Sequence, residues 1–234
     1  MSTNRSMHSC GKSKVMYKTE DAEYLIMKFM DSVSSYTQNK NERIEGTGIV
    51  RASISAELFR VLEGNGIKTH FVEQVAEGEL KVKVLDMLKL EVIPRNYAAG
   101  SIVRQFPVIK GQKFDPPVLK LDLKYGADPM LNTDYAVALG VATRKELQDI
   151  REIAFEVNRV LTQYLIQRDL ILVDFKIEVG KDINGNIIVG DEISPDGMRM
   201  WDAKTKDSLD KDVFRYNLGD LVGAYKEVQR RMKI

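Results

Sequence analysis

The chain has 234 residues, 29% charged and 44% hydrophobic, and its 35 basic and 34 acidic residues leave a net charge of +1. That length supports a substantial core, as one large domain or two small ones, and the balanced charge gives no bulk signal for nucleic acid or membrane. The one cysteine, Cys10, excludes an intramolecular disulfide and fits a reducing, cytoplasmic setting, and two distant histidines, His8 and His70, leave zinc catalysis unsupplied.

Residues 1–10 are polar and without periodicity, which predicts a disordered extension. Gly11-Lys12-Ser13-Lys14 opens a first strand on which Lys12 and Lys14 share a face. Two such lysines either hold phosphate oxygens or keep a strand edge soluble. The strand reverses into Tyr24–Phe29 as a hairpin, and residues 31–48 are irregular, the pattern of a mobile loop. Ile54, Leu58, Val61 and Leu62 predict a helix over 49–63 that stops at Gly64-Asn65-Gly66.

Strands follow at 69–75 and 80–85, with His70 a half-buried strand residue rather than a ligand. In the stretch LKLEVIPRNYAAGS, Arg95 leads into small residues that let a ligand approach the backbone. Its fork suits a phosphate or carboxylate, with a structural salt bridge as the equal alternative. Pro94 cannot donate a ladder hydrogen bond, so this strand is expected to be an edge locally or to end early. Thr143-x-x-Glu146 is a capping box, and the apolar stripe from Leu147 to Leu165 predicts a long core helix.

The densest chemistry lies in Leu172–Asp202, LVDFKIEVGKDINGNIIVGDEISPDGMRMWD. Asp174, Lys176 and Glu178 alternate with apolar residues and so share one face. With Asn184-Gly185 as a two-residue turn, Glu178 falls opposite Asp191. Two facing carboxylates repel, so a cation belongs between them: a lysine, or, favoured here, a magnesium ion that also takes phosphate oxygens. Asp196 and Arg199 add an acid and a guanidinium beside the pair. A final helix from about Leu218 closes the chain.

Four blocks, LVDFKIEVG, GDEISPDGMRMWD, RNYAAGS and LDKDVFR, occur in an order and spacing that closely resemble the SAICAR synthetase family, over about residues 11–232. The resemblance implies a mixed α/β (α+β) fold related to ATP-grasp proteins, with a lobe of residues 11–87, a second of 88–234, and ATP in the cleft between them. It implies joining of L-aspartate to carboxyaminoimidazole ribonucleotide with conversion of ATP to ADP and phosphate, through an acyl phosphate. Lys12, Lys14, Met87, Leu88 and Lys124 would then contact nucleotide, and Glu178 and Asp191 would hold magnesium. Arg95, Ser101 and Arg199 would hold the ribonucleotide, with Asp128 and Lys211 near the substrates. Asp174, Lys176 and Asp196 would supply the remaining polar groups at the reacting centre, Asp174 and Asp196 being the possible bases. A homo-oligomer, a dimer first, is the family expectation. Two other readings stand beside it: a ligase of the same fold with another acceptor, and a non-catalytic nucleotide-binding protein.

Overall fold

The computed structural model describes residues 5–35 and 38–234. Strands β1 (Met7–Cys10), β2 (Lys14–Lys18) and β3 (Tyr24–Phe29) form a meander, followed by β4 (Ser32–Ser35), β5 (Lys40–Arg43) and helix α1 (Thr47–Gly64). Strands β6 (Phe71–Ala76) and β7 (Glu79–Lys83) return to the first sheet, whose order is β1-β2-β3-β7-β6. Next come β8 (Asp86–Met87), β9 (Leu90–Tyr97), α2 (Ser101–Gln105), β10 (Lys113–Leu123), β11 (Met130–Leu131) and α3 (Thr133–Ala138). The long helix α4 (Arg144–Ile166) leads into β12 (Leu170–Phe175), β13 (Glu178–Lys181), β14 (Ile187–Gly190) and β15 (Met198–Asp202). Helices α5 (Asp212–Arg215) and α6 (Leu221–Met232) complete the chain. A second sheet has the order β11-β10-β9-β12-β15, and a smaller one β14-β13-β8.

The three long helices form as their stripes require. In α4 the expected residues Leu147, Ile150, Ala154, Val157, Leu161 and Leu165 are all buried, and both halves of the Thr143–Glu146 capping box are made. In α1 and α6, Ile54, Leu58 and Leu62 and then Leu221, Tyr225, Val228 and Met232 join one continuous cluster with both large sheets. No described helix is long and apolar enough to cross a membrane.

Four expectations are corrected. The extension is ordered strand from Met7: Met7 lies opposite Tyr17 and Cys10 opposite Val15, although all four residues of β1 are exposed. Backbone hydrogen bonds, not burial, hold this edge, so no apolar pattern announces it; residues 1–4 lie outside the described residues. The supposed loop at 31–48 contains the hairpin of β4 and β5, with Ser32 opposite Arg43; residues 36–37 lie outside the described residues.

Pro94 neither ends its strand nor sits on an edge: β9 is central and runs to Tyr97, with Pro94 opposite Leu119 of β10. Val92 exchanges both backbone bonds with Ile177. Two residues on, the proline nitrogen faces that same side, where the chain passes from β12 to β13 and one donor is dispensable. Finally, the β13–β14 register is one residue away from the two-residue-turn prediction. Glu178 lies opposite Gly190, not Asp191. Asp182 Oδ1 accepts from the backbone N–H of Asn184 and Asn186, which widens the turn to Ile183-Asn184-Gly185 with Gly185 at φ 78°.

Candidate active site

Strands β9 and β12 place their alternate side chains on one open face of the second sheet. Even positions of β9 turn inward, where Asn96 and Asn158 of α4 exchange amide hydrogen bonds at 2.8 Å. Odd positions Glu91, Ile93 and Arg95 face a cavity of about 590 Å³. Asp174, Lys176 and Glu178 line the same cavity, as their alternation predicts; Lys14 reaches it from the start of β2, and Lys12 from the bend before β2 rather than from a shared strand face. The segment from Asp191 to Arg199 closes one side, and Lys211, Lys124 and Asp128 complete the rim.

Lys176 is the hub of the clustered carboxylates. Its Nζ lies 2.6 Å from Glu178 Oε1, 3.3 Å from Asp191 Oδ2 and 3.4 Å from Glu91 Oε1. Asp191 meets Glu178 despite the shifted register because its backbone turns left-handed, φ 59°, directly after β14. Lys14 Nζ donates to the other Asp191 oxygen at 2.5 Å and lies 2.9 Å from Glu192 Oε1, while Lys124 pairs with Glu178. Burial alone would raise the Asp191 pKa, but Lys14 and Lys176 outweigh it and hold the carboxyl well below the usual range. Burial likewise opposes charge on Lys176, and Asp191 and Glu178 reverse that, raising its pKa well above an ordinary lysine. Lys12 makes no ion pair among the described residues, so its charge is available to a ligand.

The guanidinium pair is built around Asp174, which is buried. Arg95 Nη1 donates to Asp174 Oδ2 at 2.9 Å and to the Ala99 carbonyl at 2.9 Å, and Nη2 donates to Ser101 Oγ at 3.4 Å. Arg199 Nη1 donates to both Asp174 oxygens, at 3.0 and 3.1 Å, and Nε donates to Asp212 at 2.8 Å. Gly100, at φ 65°, lies under the Arg199 guanidinium; a Cβ there would sit 2.6 Å from Nη2 and 2.7 Å from Cζ. Lys211 Nζ donates to Asp196 Oδ2 at 2.7 Å; burial lowers its pKa, and Asp196 only partly offsets that.

Most of the sequence-derived site residues therefore share one cavity. Three lie beside it. Ser101 touches Arg95 from the start of α2. Leu88 donates its backbone N–H to Val179 O, and Met87 Sδ lies where a Cβ on Gly180 or Gly190 would meet it. Glu91, Glu192, Arg51, Asp212 and Arg215 were missed. Glu91 was readable from its alternation with Arg95, and Arg51 from its position on the α1 stripe, three residues before Ile54. Glu192, Asp212 and Arg215 carry no spacing signal of their own.

Opposed carboxylates and at least three lysines, beside two guanidiniums sharing one aspartate, define a site for polyanionic, phosphorylated substrates. The comparisons with known proteins agree. The sequence model of the SAICAR synthetase family matches residues 7–232. The phosphoribosylaminoimidazole-succinocarboxamide synthases of Methanopyrus kandleri and Methanocaldococcus jannaschii are each 47% identical over 95% of this chain, covering 91% and 92% of their own lengths. A SAICAR synthetase solved in complex with ADP superposes with a TM-score of 0.93 at 44% identity, over 97% of both chains. The synthase of Ehrlichia chaffeensis gives 0.94 at 32% identity, over 97% of this chain and 98% of that one.

The fold and site define an ATP-dependent ligase with the ATP-grasp-like fold of its structural neighbours. The chain belongs to the SAICAR synthetase family. Its reaction is the ATP-dependent ligation of L-aspartate to carboxyaminoimidazole ribonucleotide in purine biosynthesis.

Proposed function

We propose that the cavity divides this reaction among three groups of side chains. A carboxylate does not accept an amine directly, because oxide is a very poor leaving group. The ribonucleotide carboxylate therefore attacks the γ-phosphorus of ATP, ADP departs, and the aspartate amine displaces phosphate from the resulting acyl phosphate. The protein contributes position and charge neutralisation.

Lys12, Lys14 and Lys124 meet the nucleotide, with Met87 and Leu88 bordering the base between a lobe of residues 11–87 and one of 88–234. Arg95, Ser101 and Arg199 hold the ribonucleotide, and Asp128 lies on its rim. Lys211 and Arg215 are the cations left for the carboxylates of L-aspartate. Asp174 and Asp196 are committed to guanidinium and ammonium partners, so we assign them to positioning rather than to proton transfer. Lys176 steadies the transferring group from the centre of the acids.

Glu178 and Asp191 fit a magnesium ion by donor chemistry: two carboxylates facing one cavity, held apart now only by lysine, with space for phosphate oxygens. Among the described residues no cluster of three acids, histidines or cysteines forms a metal cage, as suits an ion that shares its shell with phosphate and water. When bound, magnesium would neutralise charge developing on the phosphate oxygens. We place the enzyme in the cytoplasm, which its single cysteine fits, and expect a homo-oligomer, a dimer first.

The observation that carries the reading is the convergence of Lys14 and Lys176 on Asp191, with Glu178 also on Lys176, in the cavity that also holds the guanidinium pair. Asp191→Asn tests it. The variant should stay folded, require roughly tenfold or more additional magnesium for half-maximal turnover, and bind ADP less tightly with magnesium than wild type does. An unchanged magnesium requirement would remove Asp191 from the metal.

A further inference from the structure

The most anomalous side chain in the molecule lies behind the cavity. Arg51 of α1 has no exposed surface and is the largest fully buried side chain among the described residues. A guanidinium removed from water is costly unless its position repays it in contacts. Nη2 donates to the Met30 carbonyl at 2.5 Å and to the Ser13 carbonyl at 3.5 Å. Nη1 lies 3.6 Å from Glu192 Oε1 and 4.0 Å from Asp196 Oδ2. Among the described residues, Nε and Nη1 have no hydrogen-bond acceptor, and Asp196 Oδ1 and the Tyr225 hydroxyl beside them are likewise buried without partners. A fold that needed only to fill this space would use an apolar residue.

Three neighbours of Arg51 lead to lysines in the cavity. Ser13 lies between Lys12 and Lys14 in the chain. Glu192 reaches Lys14 at 2.9 Å, and Asp196 accepts from Lys211 at 2.7 Å. We propose that Arg51 is a positioning residue that sets Lys14 through Glu192 and Lys211 through Asp196, coupling the nucleotide and aspartate subsites through one buried cation. This rests on the assignment of Lys14 to ATP and Lys211 to L-aspartate. Burial disfavours charge on Arg51, and Glu192 and then Asp196 offset that and raise its pKa. The guanidinium pair for the ribonucleotide hangs on Asp174 and Asp212, with no contact to Arg51.

Steady-state kinetics of Arg51→Met, with Arg51→Lys, Glu192→Gln, Lys14→Met and Lys211→Met, tests the assignment. Arg51→Met should raise KM for both ATP and L-aspartate about tenfold, which is about 1.4 kcal/mol each, while KM for the ribonucleotide stays within about twofold. Arg51→Lys keeps the charge without the fork and should fall between it and wild type. Glu192→Gln keeps the shape and should affect ATP alone; it carries the test if Arg51→Met does not fold. Equal rises in all three KM values would mean general loosening and overturn the proposal. So would unchanged KM values in Arg51→Met when Lys14→Met and Lys211→Met raise theirs. No effect of Lys14→Met on ATP or of Lys211→Met on aspartate would instead refute the subsite assignments, and the coupling with them.

Discussion

At the scale of single residues, buried carboxylates hold the cations of the cavity in place. Asp174 spaces two guanidiniums, and Asp212 fixes the far edge of Arg199. Gly100 is the seat of that guanidinium, and no side chain fits there. Gly100→Ala should therefore displace Arg199 and strain a left-handed backbone position. Its kcat/KM for the ribonucleotide should fall about tenfold or more, with KM for ATP little changed; steady-state kinetics with each substrate varied would show it, and an unaltered ribonucleotide KM would remove Arg199 from that role.

Asp210 gives a second residue-scale test. Burial first, and then Asp212, push its carboxyl up to about 7 from 3.8. A raised folded-state pKa means that the folded protein binds the proton more tightly than the unfolded chain. This contribution to stability is full below pH 3.8 and is lost as pH rises toward 7. Over that window it lowers the unfolding free energy by up to about 1.4 kcal/mol per pH unit. Asp210→Asn should flatten that segment in denaturant titrations at fixed pH; an identical slope would show that the carboxyl is not the source.

At the scale of elements, the long helices and the face of the central strand were legible because one force sets each. Apolar spacing specifies α4 and the capping box fixes its start. Thr143→Ala removes an N-cap acceptor and should cost about 1 kcal/mol, read from the shift in urea midpoint at constant slope. The register of the β13–β14 hairpin was not legible, because Asn-Gly signals a turn without saying how many residues it takes. The Asp182 carboxylate decides that, by accepting from the backbone of Asn184 and Asn186. The two acids still meet, by the left-handed kink at Asp191 rather than by direct pairing. Strand β1 and the β4–β5 hairpin were unreadable for a related reason: their cohesion is in backbone pairing, and their side chains are polar or exposed.

At the scale of the molecule, segments far apart in sequence meet in one cavity. Lys14 comes from the first sheet and Lys12 from the bend before it, Arg95, Asp174 and Arg199 from the second sheet, Glu178 from the third, and Lys211 from the segment before α5. Sequence order alone marked the blocks as chemically dense. It could not show that Arg51, within a core helix, reaches Glu192 and Asp196, since that contact exists only when α1 packs behind the segment between β14 and β15. The measurement that tests the reaction most directly is ADP release coupled to product analysis, with ATP, magnesium and carboxyaminoimidazole ribonucleotide, in the presence and absence of L-aspartate. The prediction is ADP and succinocarboxamide product in equal amounts only when all components are present. Folded protein that binds ATP but forms neither under these conditions would contradict it.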